Sequence, residues 1–247
     1  MTKWKTVTIL CILIFAIFTI KIYASDFFDS FDTVELTDDQ QQRIWRDSKI
    51  RKLGTRSAIE HPSPIINFDV SESGLIVLAL EGDQILVLDS SGNPIQSFTF
   101  DREGSYCVGW NKENILLYSN RSDIFIEFSL DGEFIDMIKH EPQSWKSSAF
   151  ISDWQDIRSI TFDGNTYTIE NRAGVFNLLT AQRYAKLYKT DSDGNEIVLY
   201  DATKQLWSSI ILTIGGIHLF VAIVLNVMVY QYEKDIKKTK GDSNIKL

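Results

Sequence analysis

Hydrophobic residues follow three different patterns along this chain. Near both ends they form unbroken apolar runs, at 6–20 and at 207–230. Between 65 and 140 they occur in short alternating segments separated by Gly, Asn, Asp and Ser, which is typical of β-hairpins. Around 38–53 their spacing predicts one short helix, in which Thr37 can serve as the N-cap. The pattern therefore predicts a β domain between two apolar segments.

The stretch from Ile65 to His140 contains the same pattern twice, at an offset of 40 residues. Under that offset identical or apolar positions coincide, namely Asp83 with Asp123, Gly92 with Gly132, Ile95 with Ile135, Leu78 with Tyr118, Leu86 with Ile126 and Leu88 with Phe128. The first copy predicts strands at 65–70, 74–80, 84–89 and 94–100. The second copy predicts strands at 105–110, 114–119, 123–129 and 133–140. Repeats of several strands each are typical of blade-type β architectures.

A glycine precedes the last strand of each copy. We expect Gly92 and Gly132 to take the positive φ that these turns require. A looser third copy follows at 157–200, where Gly194 occupies the same turn position, 62 residues beyond Gly132. The residues in excess of the 40-residue offset are expected in two insertions, at 141–156 and 171–186.

The succession of strands, with its pattern Asp-x-Ile-x-Val-Leu-Asp-x-x-Gly-x-x-Ile beginning at Asp83, resembles the blades of bacterial β-propeller repeat proteins. The resemblance covers about 65–200 and implies a blade architecture, but no particular ligand. Closed propellers have about four to eight blades, whereas this stretch holds three units. We therefore predict an all-β domain of about three four-stranded propeller-like blades, arranged as an open arc or completed by a dimer. Its exposed strand edges would be capped by the 38–53 helix or by Asp-rich loops.

The two apolar runs predict membrane segments on either side of the β domain. The first, within 1–24, fits an uncleaved signal anchor or a cleaved signal peptide, since two lysines precede it and it would span about 28 Å as a helix. The second lacks formal charge and has aromatic residues at both ends, which predicts a transmembrane helix over 205–232. Between them lie a polar linker at 25–64 and the blade domain at 65–204.

Charge predicts how the chain lies in the membrane. Both the N-terminus and the tail at 233–247 are basic, so positive-inside bias places them in the cytoplasm and the blade domain outside. The outside location of the domain holds whether the N-terminal segment is cleaved, leaving one span, or retained, giving two. Residues 25–206 carry 30 acidic against 17 basic side chains, a net charge of −13. Such a domain lacks the basic face that nucleic-acid binding requires.

Small and polar residues form one stripe on the C-terminal apolar helix. Gly215, His218, Ala222 and Asn226 recur at steps of three and four residues. Such stripes allow close helix packing and interhelical hydrogen bonds, with the N-terminal helix or a second copy as partner. A functional intramembrane histidine, for example in proton relay, is the alternative, although neither apolar segment offers an acidic companion.

Residues suited to catalysis or metal binding are sparse between the apolar segments. That part of the sequence contains one cysteine, Cys107, and two histidines, His61 and His140, and it lacks Gly-x-Ser-x-Gly. The spacing of these residues does not suit zinc, and the Asp-rich run at 191–196 lacks the first and last ligands of an EF-hand, which favours a β-turn. The sequence therefore predicts no catalytic residues, no metal site and no cofactor.

Aromatic residues of the irregular segment at 141–156 supply the candidate recognition surface. Trp145, Phe150 and Trp154 either pack locally or form a partner-binding loop. The leading hypothesis is a membrane-anchored, extracytoplasmic, non-catalytic module that binds a protein or an envelope ligand. The alternatives are an accessory subunit of a membrane complex that docks through its transmembrane helix, and a hydrolase or lyase without a visible motif. The predicted partners are the lipid bilayer and a protein or a second copy, with no nucleic acid.

Overall fold

The computed structural model describes residues 33–53, 60–101, 104–140, 151–180 and 183–243. The predicted N-terminal segment at 1–24 lies outside these residues, as do Trp145 and Phe150. The described chain begins with strand β1 (Thr33–Glu35), helix α1 (Asp38–Ser48) and strand β2 (Arg51–Leu53).

Three antiparallel sheets follow, and each is built on a four-stranded meander in which neighbours in sequence are neighbours in the sheet. Blade 1 contains β3 (Ile65–Val70), β4 (Ile76–Leu80), β5 (Gln84–Leu88) and β6 (Pro94–Thr99). Blade 2 contains β7 (Tyr106–Asn111), β8 (Asn114–Ser119), β9 (Ile124–Phe128) and β10 (Phe134–His140). Blade 3 contains β11 (Ser159–Phe162), β12 (Asn165–Glu170), β13 (Lys186–Thr190) and β14 (Glu196–Asp201). The domain is all-β and propeller-like.

The strands of blades 1 and 2 lie within two residues of the predicted bounds, because alternation and turn residues mark both ends of each strand. The insertion expected at 171–186 separates β12 from β13 and contains a 3₁₀-helix, Gly174–Leu179. The other expected insertion includes a short helical segment at 151–155 before β11.

The predicted helix at 38–53 is shorter in the structure and ends at Ser48. Lys49 adopts a left-handed conformation, with φ of 47°, and its N–H bonds back to the carbonyl of Arg46, so the chain leaves the helix there. The start of the helix is as predicted: Thr37 Oγ1 accepts from the N–H of Gln40, and Gln40 Oε1 accepts from the N–H of Thr37.

Blade 1 lies between blade 3 and blade 2. Successive side chains of a strand point to opposite faces, and β4 is apolar on both. Val77 and Ala79 belong to a core shared with blade 2, whereas Ile76, Leu78 and Leu80 belong to a second core shared with blade 3. Blade 1 is therefore buried on both faces, as its near-continuous hydrophobic strands require.

The other face of blade 2 packs against the segment at 151–157. A third hydrophobic cluster unites the blade residues Cys107, Leu116, Tyr118 and Phe125 with Ile151 and Trp154 of that segment. Because Ile157 contacts both this cluster and the core shared with blade 3, the segment connects blade 2 to blade 3 by packing as well as by sequence.

The N-terminal part adds a fifth strand to two blades. β1 pairs with β10 and β2 pairs with β6, so the last strands of blades 2 and 1 are covered at the sheet edge. Helix α1 lies between these strands, and its Trp45 ring lies 5.2 Å from the ring of Phe134. Within the described residues the edge strand of blade 3, β14, pairs with β13 alone, and its Ile197 and Val198 are exposed.

The last element is helix α2 (Thr203–Ser243), which follows β14 with a single intervening residue. Its stretch Thr203–Met228 contains an 18-residue window with a mean hydropathy of 2.4 and is long and apolar enough to cross a membrane. One such helix occurs in the part of the chain that the structure describes, where two flanking spans were predicted. The predicted first span belongs to the residues outside that part.

Candidate functional site

The blade domain has two contrasting ends. Each meander has two hairpin turns at the same end of the domain, six in all, and we call this end the turn end. The opposite end, where α2 leaves the domain, is the helix end. Contacts between different blades bring the turn end together: Ser73 Oγ donates to Glu113 at 3.3 Å, and Lys189 Nζ of β13 donates to the carbonyl of Ser90 at 3.0 Å.

Aspartates hold two of the turns at the turn end. Asp89 Oδ1 accepts from the N–H groups of Ser91 and Asn93, both at 2.8 Å, and these bonds with the Asn93 side chain lower the pKa of Asp89. Asp191 makes the equivalent bonds in blade 3, which also lower its pKa. The run at 191–196 is thus a β-turn, as the sequence predicted.

The glycines of these turns also behave as predicted. Gly92 and Gly132 have φ values of 86° and 83°, and Gly194 in blade 3 has 85°. This left-handed conformation is costly for residues with a Cβ atom, which explains why the same position is glycine in all three blades.

The turn end is acidic. Its six turns contain a single lysine, Lys112, and eight carboxylates, those of Glu72, Asp89, Glu113, Asp131, Glu133, Asp163, Asp191 and Asp193. Such a face repels phosphate-rich surfaces, whether nucleic acid or anionic lipid. In the described residues no group of three or more His, Cys, Asp or Glu side chains is arranged to hold a metal ion.

Side chains of β3 bond to the backbone of β7 across the interface between blades 1 and 2. Asn67 bridges Val108 twice, accepting from its N–H at 2.9 Å and donating to its carbonyl at 3.2 Å. Asp69 Oδ2 accepts from the N–H of Trp110 at 2.9 Å. A Cβ at the intervening Gly109 would lie 2.9 Å from Asp69 Oδ2 and 2.6 Å from the Trp154 ring, so only glycine allows this approach.

Asp69 is the described carboxylate with the largest rise in pKa. Burial raises its pKa to about 6, although backbone hydrogen bonds from Trp110 and Val70 act in the opposite direction. Perturbed carboxylates are candidates for catalysis, but both oxygens of Asp69 are occupied by backbone donors. Its arrangement therefore fits a residue that fixes the register between two blades.

We expect Asp69→Asn to remove a pH dependence of stability. The folded pKa exceeds the unfolded value, so Asp69 contributes stability that is full below about pH 4 and is lost as the pH rises through about 6. Relative to the wild type, the variant should gain stability between about pH 4 and about pH 7.5, on the order of 2 kcal/mol after allowance for solvent screening. Urea unfolding of the full chain in detergent at both pH values measures this. A constant difference between the two proteins would contradict it.

The structure places Trp154 inside the protein. Its side chain is 4% exposed, and its ring centroid lies 6.1 Å from that of Phe125 and 6.4 Å from that of Tyr118. His140 and Cys107 border the same cluster, and burial raises the pKa of the Cys107 thiol, which disfavours the reactive thiolate. Trp154 thus covers blade 2, while the role predicted for Trp145 and Phe150 stays a prediction.

At the helix end, α2 is packed into the domain from its first turns. Leu206 and Ile210 are buried against Ala185 of blade 3. Arg183 connects three parts of the chain, since Nη1 lies 3.1 Å from Glu81 of the turn between β4 and β5 and 3.4 Å from Ser209 of the helix. The blade domain and the start of the apolar helix therefore form one packed unit.

A cavity of about 150 Å³ lies beside the start of α2. Sequence reasoning missed this cavity, because its walls come from separate parts of the chain, including the insertion between β12 and β13 and the first turns of α2. Its lining includes Arg172, Lys186, Tyr188, Thr203 and Trp207. Arg172 pairs with Glu170 and Glu196 and lies 4.0 Å from the centre of the Tyr188 ring, and Lys186 pairs with Asp201 at 3.2 Å. Both cations have carboxylate partners, so the cavity lacks the excess positive charge of an anion site.

The predicted stripe lies on the part of α2 beyond the domain. His218 Nδ1 lies 2.8 Å from the carbonyl of Ile214, and Asn226 Nδ2 donates to the carbonyl of Ala222 at 2.8 Å, so both polar side chains bond to their own helix. A Cβ added at Gly215 meets no atom within 4 Å. The stripe is thus open to a neighbouring helix, and its role in packing stays a prediction.

Comparisons with known proteins give little beyond these observations. No family model matches the chain, and no curated protein matches it. Among solved structures, the chain is similar to one titled "Streptogramin B lyase structure", at 14% identity and a TM-score of 0.26. The match covers 62% of this chain and 45% of the other chain, so this chain spans less than half the length of the lyase chain.

Proposed function

We propose that this protein is a membrane-anchored, non-catalytic binding module that holds a protein or an envelope ligand close to the membrane. The observation that carries the proposal is the packing of Leu206 and Ile210 into blade 3. A domain that is packed directly onto its anchor is suited to presenting a surface at a fixed height above the membrane. The turn end is then directed away from the membrane.

Charge supports this orientation. The acidic turn end would be repelled by anionic headgroups, and the apolar helix leaves the domain at the other end. We propose further that the basic tail lies in the cytoplasm and the blade domain outside, in agreement with positive-inside bias.

The orientation can be tested with single cysteines in a Cys11→Ala background, since Cys107 is buried. We expect a membrane-impermeant maleimide to label Ser192→Cys in intact cells and Lys240→Cys only after the membrane is opened. The reverse labelling order would refute the proposed topology.

The binding role can be tested by photo-crosslinking in intact membranes, with a photoreactive residue at Trp145 and, separately, at Leu219. A module that recognises its partner through the loop should give adducts from position 145 that persist in the double variant Gly215→Leu, Ala222→Leu. Adducts from position 219 alone, abolished by that double variant, would instead establish the accessory-subunit alternative. The open stripe on α2 is the observation that favours this second candidate.

A further inference from the structure

The insertion between β12 and β13 exposes large apolar side chains at the helix end. In the 3₁₀-helix Gly174–Leu179, which we call the Phe176 loop, Phe176 is 58% exposed, Leu178 89% and Leu179 46%. Single exposed apolar residues are ordinary on protein surfaces. Three on one six-residue turn form a patch that water solvates poorly, and such a patch indicates contact with another apolar surface.

The base of the loop is fixed by hydrogen bonds. Asn171 Oδ1 accepts from the N–H of Ala185 at 2.6 Å, and Asn171 Nδ2 donates to the carbonyl of Arg183. The carbonyl oxygen of Thr180 accepts from Arg183 Nε at 3.0 Å, and the N–H of Thr180 donates to the carbonyl of Asn177. Hydrogen bonds therefore fix the base of the loop, and the apolar side chains of the folded loop remain outside the core.

The loop lies beside the point where α2 leaves the domain. The ring of Phe176 lies 6.3 Å from that of Trp207 in an edge-to-face arrangement. Beyond Ile210, which is buried in the domain, α2 is exposed and mostly apolar from Ile211 to Met228. Ile211 is four residues after Trp207, or about 6 Å along the helix axis. The Phe176 loop is thus within about one helical turn of the first exposed apolar residues of α2, Ile211 and Leu212.

From this continuity we propose that the Phe176 loop inserts into the interfacial layer of the same bilayer that α2 crosses. The inference rests on the proposed membrane anchor. Aromatic rings such as those of Phe176 and Trp207 are favoured at the headgroup level, and Leu178 extends the apolar contact toward the acyl chains. The loop and the helix give the domain two separate contacts with the membrane, which restricts its tilt as well as its height.

The test places an environment-sensitive NBD fluorophore on single cysteines of the full chain, in the Cys11→Ala background, reconstituted into lipid vesicles. Leu178→Cys reports on the loop, Leu219→Cys on the middle of α2, and Ser192→Cys on the turn end. We expect the label at position 178 to be blue-shifted, quenched by lipids with a spin label near the headgroup, and several-fold less accessible to aqueous iodide than the label at position 192.

The labels at positions 178, 192 and 219 distinguish failure of the loop contact from failure of the membrane anchor. If position 219 is quenched by deep spin-labelled lipids but position 178 behaves like position 192, the loop lies in water and this inference is wrong while the anchor stands. If position 219 is also accessible to iodide, the membrane anchor itself is wrong. A blue shift at position 178 that disappears at less than one chain per vesicle would assign the loop to a second copy and overturn the bilayer contact.

Discussion

Replacement of Trp154 by alanine is expected to destabilise the folded domain by about 3–5 kcal/mol, the usual cost of removing a buried Trp or Phe side chain. Trp154 fills the face of blade 2 between Tyr118 and Phe125, and its loss leaves a cavity that the surrounding β-sheet cannot collapse to fill. Urea unfolding of the full chain in detergent, followed by far-UV circular dichroism, measures the change.

Ile197→Ala on the edge strand of blade 3 is the control, because this residue is 52% exposed and its truncation should cost about 1 kcal/mol or less. A Trp154→Ala variant with unchanged stability, accompanied by loss of the crosslinked partner, would place Trp154 on the surface. It would favour the alternative in which Trp145, Phe150 and Trp154 form a partner-binding loop.

Gly92→Ala is expected to cost about 3 kcal/mol, and the equivalent Gly194→Ala only about 1–2 kcal/mol. Both glycines have nearly the same positive φ, 86° and 85°, so the backbone strain is shared. They differ in their surroundings: a Cβ at position 92 would lie 2.9 Å from the carbonyl oxygen of Leu199 in β14, whereas one at position 194 meets nothing within 4 Å.

The two variants should therefore differ in their loss of unfolding free energy, and this difference measures how tightly blade 1 packs on blade 3. Unfolding free energies of both variants, measured under identical conditions, give the difference directly. Equal losses would mean that β14 does not lie against the turn of blade 1, and the order of the blades would then be wrong.

Much of the local structure follows from the sequence by itself. The alternation of apolar residues and the turn glycines place the eight strands of blades 1 and 2 within two residues of their bounds. The capping residues Thr37 and Gln40 mark the start of α1, and uninterrupted hydropathy identifies the long apolar helix. These features depend on neighbours a few positions away, so the local pattern is sufficient to predict them.

The end of α1 and the position of β2 show where this reasoning fails. Apolar spacing continues from Ile44 to Leu53, which favours a longer helix, yet Arg51–Leu53 pairs with β6. The partner strand lies more than forty residues away, and sheet pairing with it outweighs the helical preference of a short segment. The same holds for Trp154, whose environment includes residues from β7, β8 and β9.

What the sequence by itself determined is the three repeat units, the strands of blades 1 and 2, and the long apolar helix that follows them. Only the tertiary structure decided that blade 1 lies between blades 3 and 2, that the segment at 151–157 covers the free face of blade 2, and that the Phe176 loop lies beside Trp207 at the start of α2. The pattern of apolar residues in a strand shows which side chains are buried, but it does not show which part of the protein buries them. Each apolar face of a blade could be covered by any apolar surface of matching shape. The partner of each face is therefore fixed by packing over the whole domain.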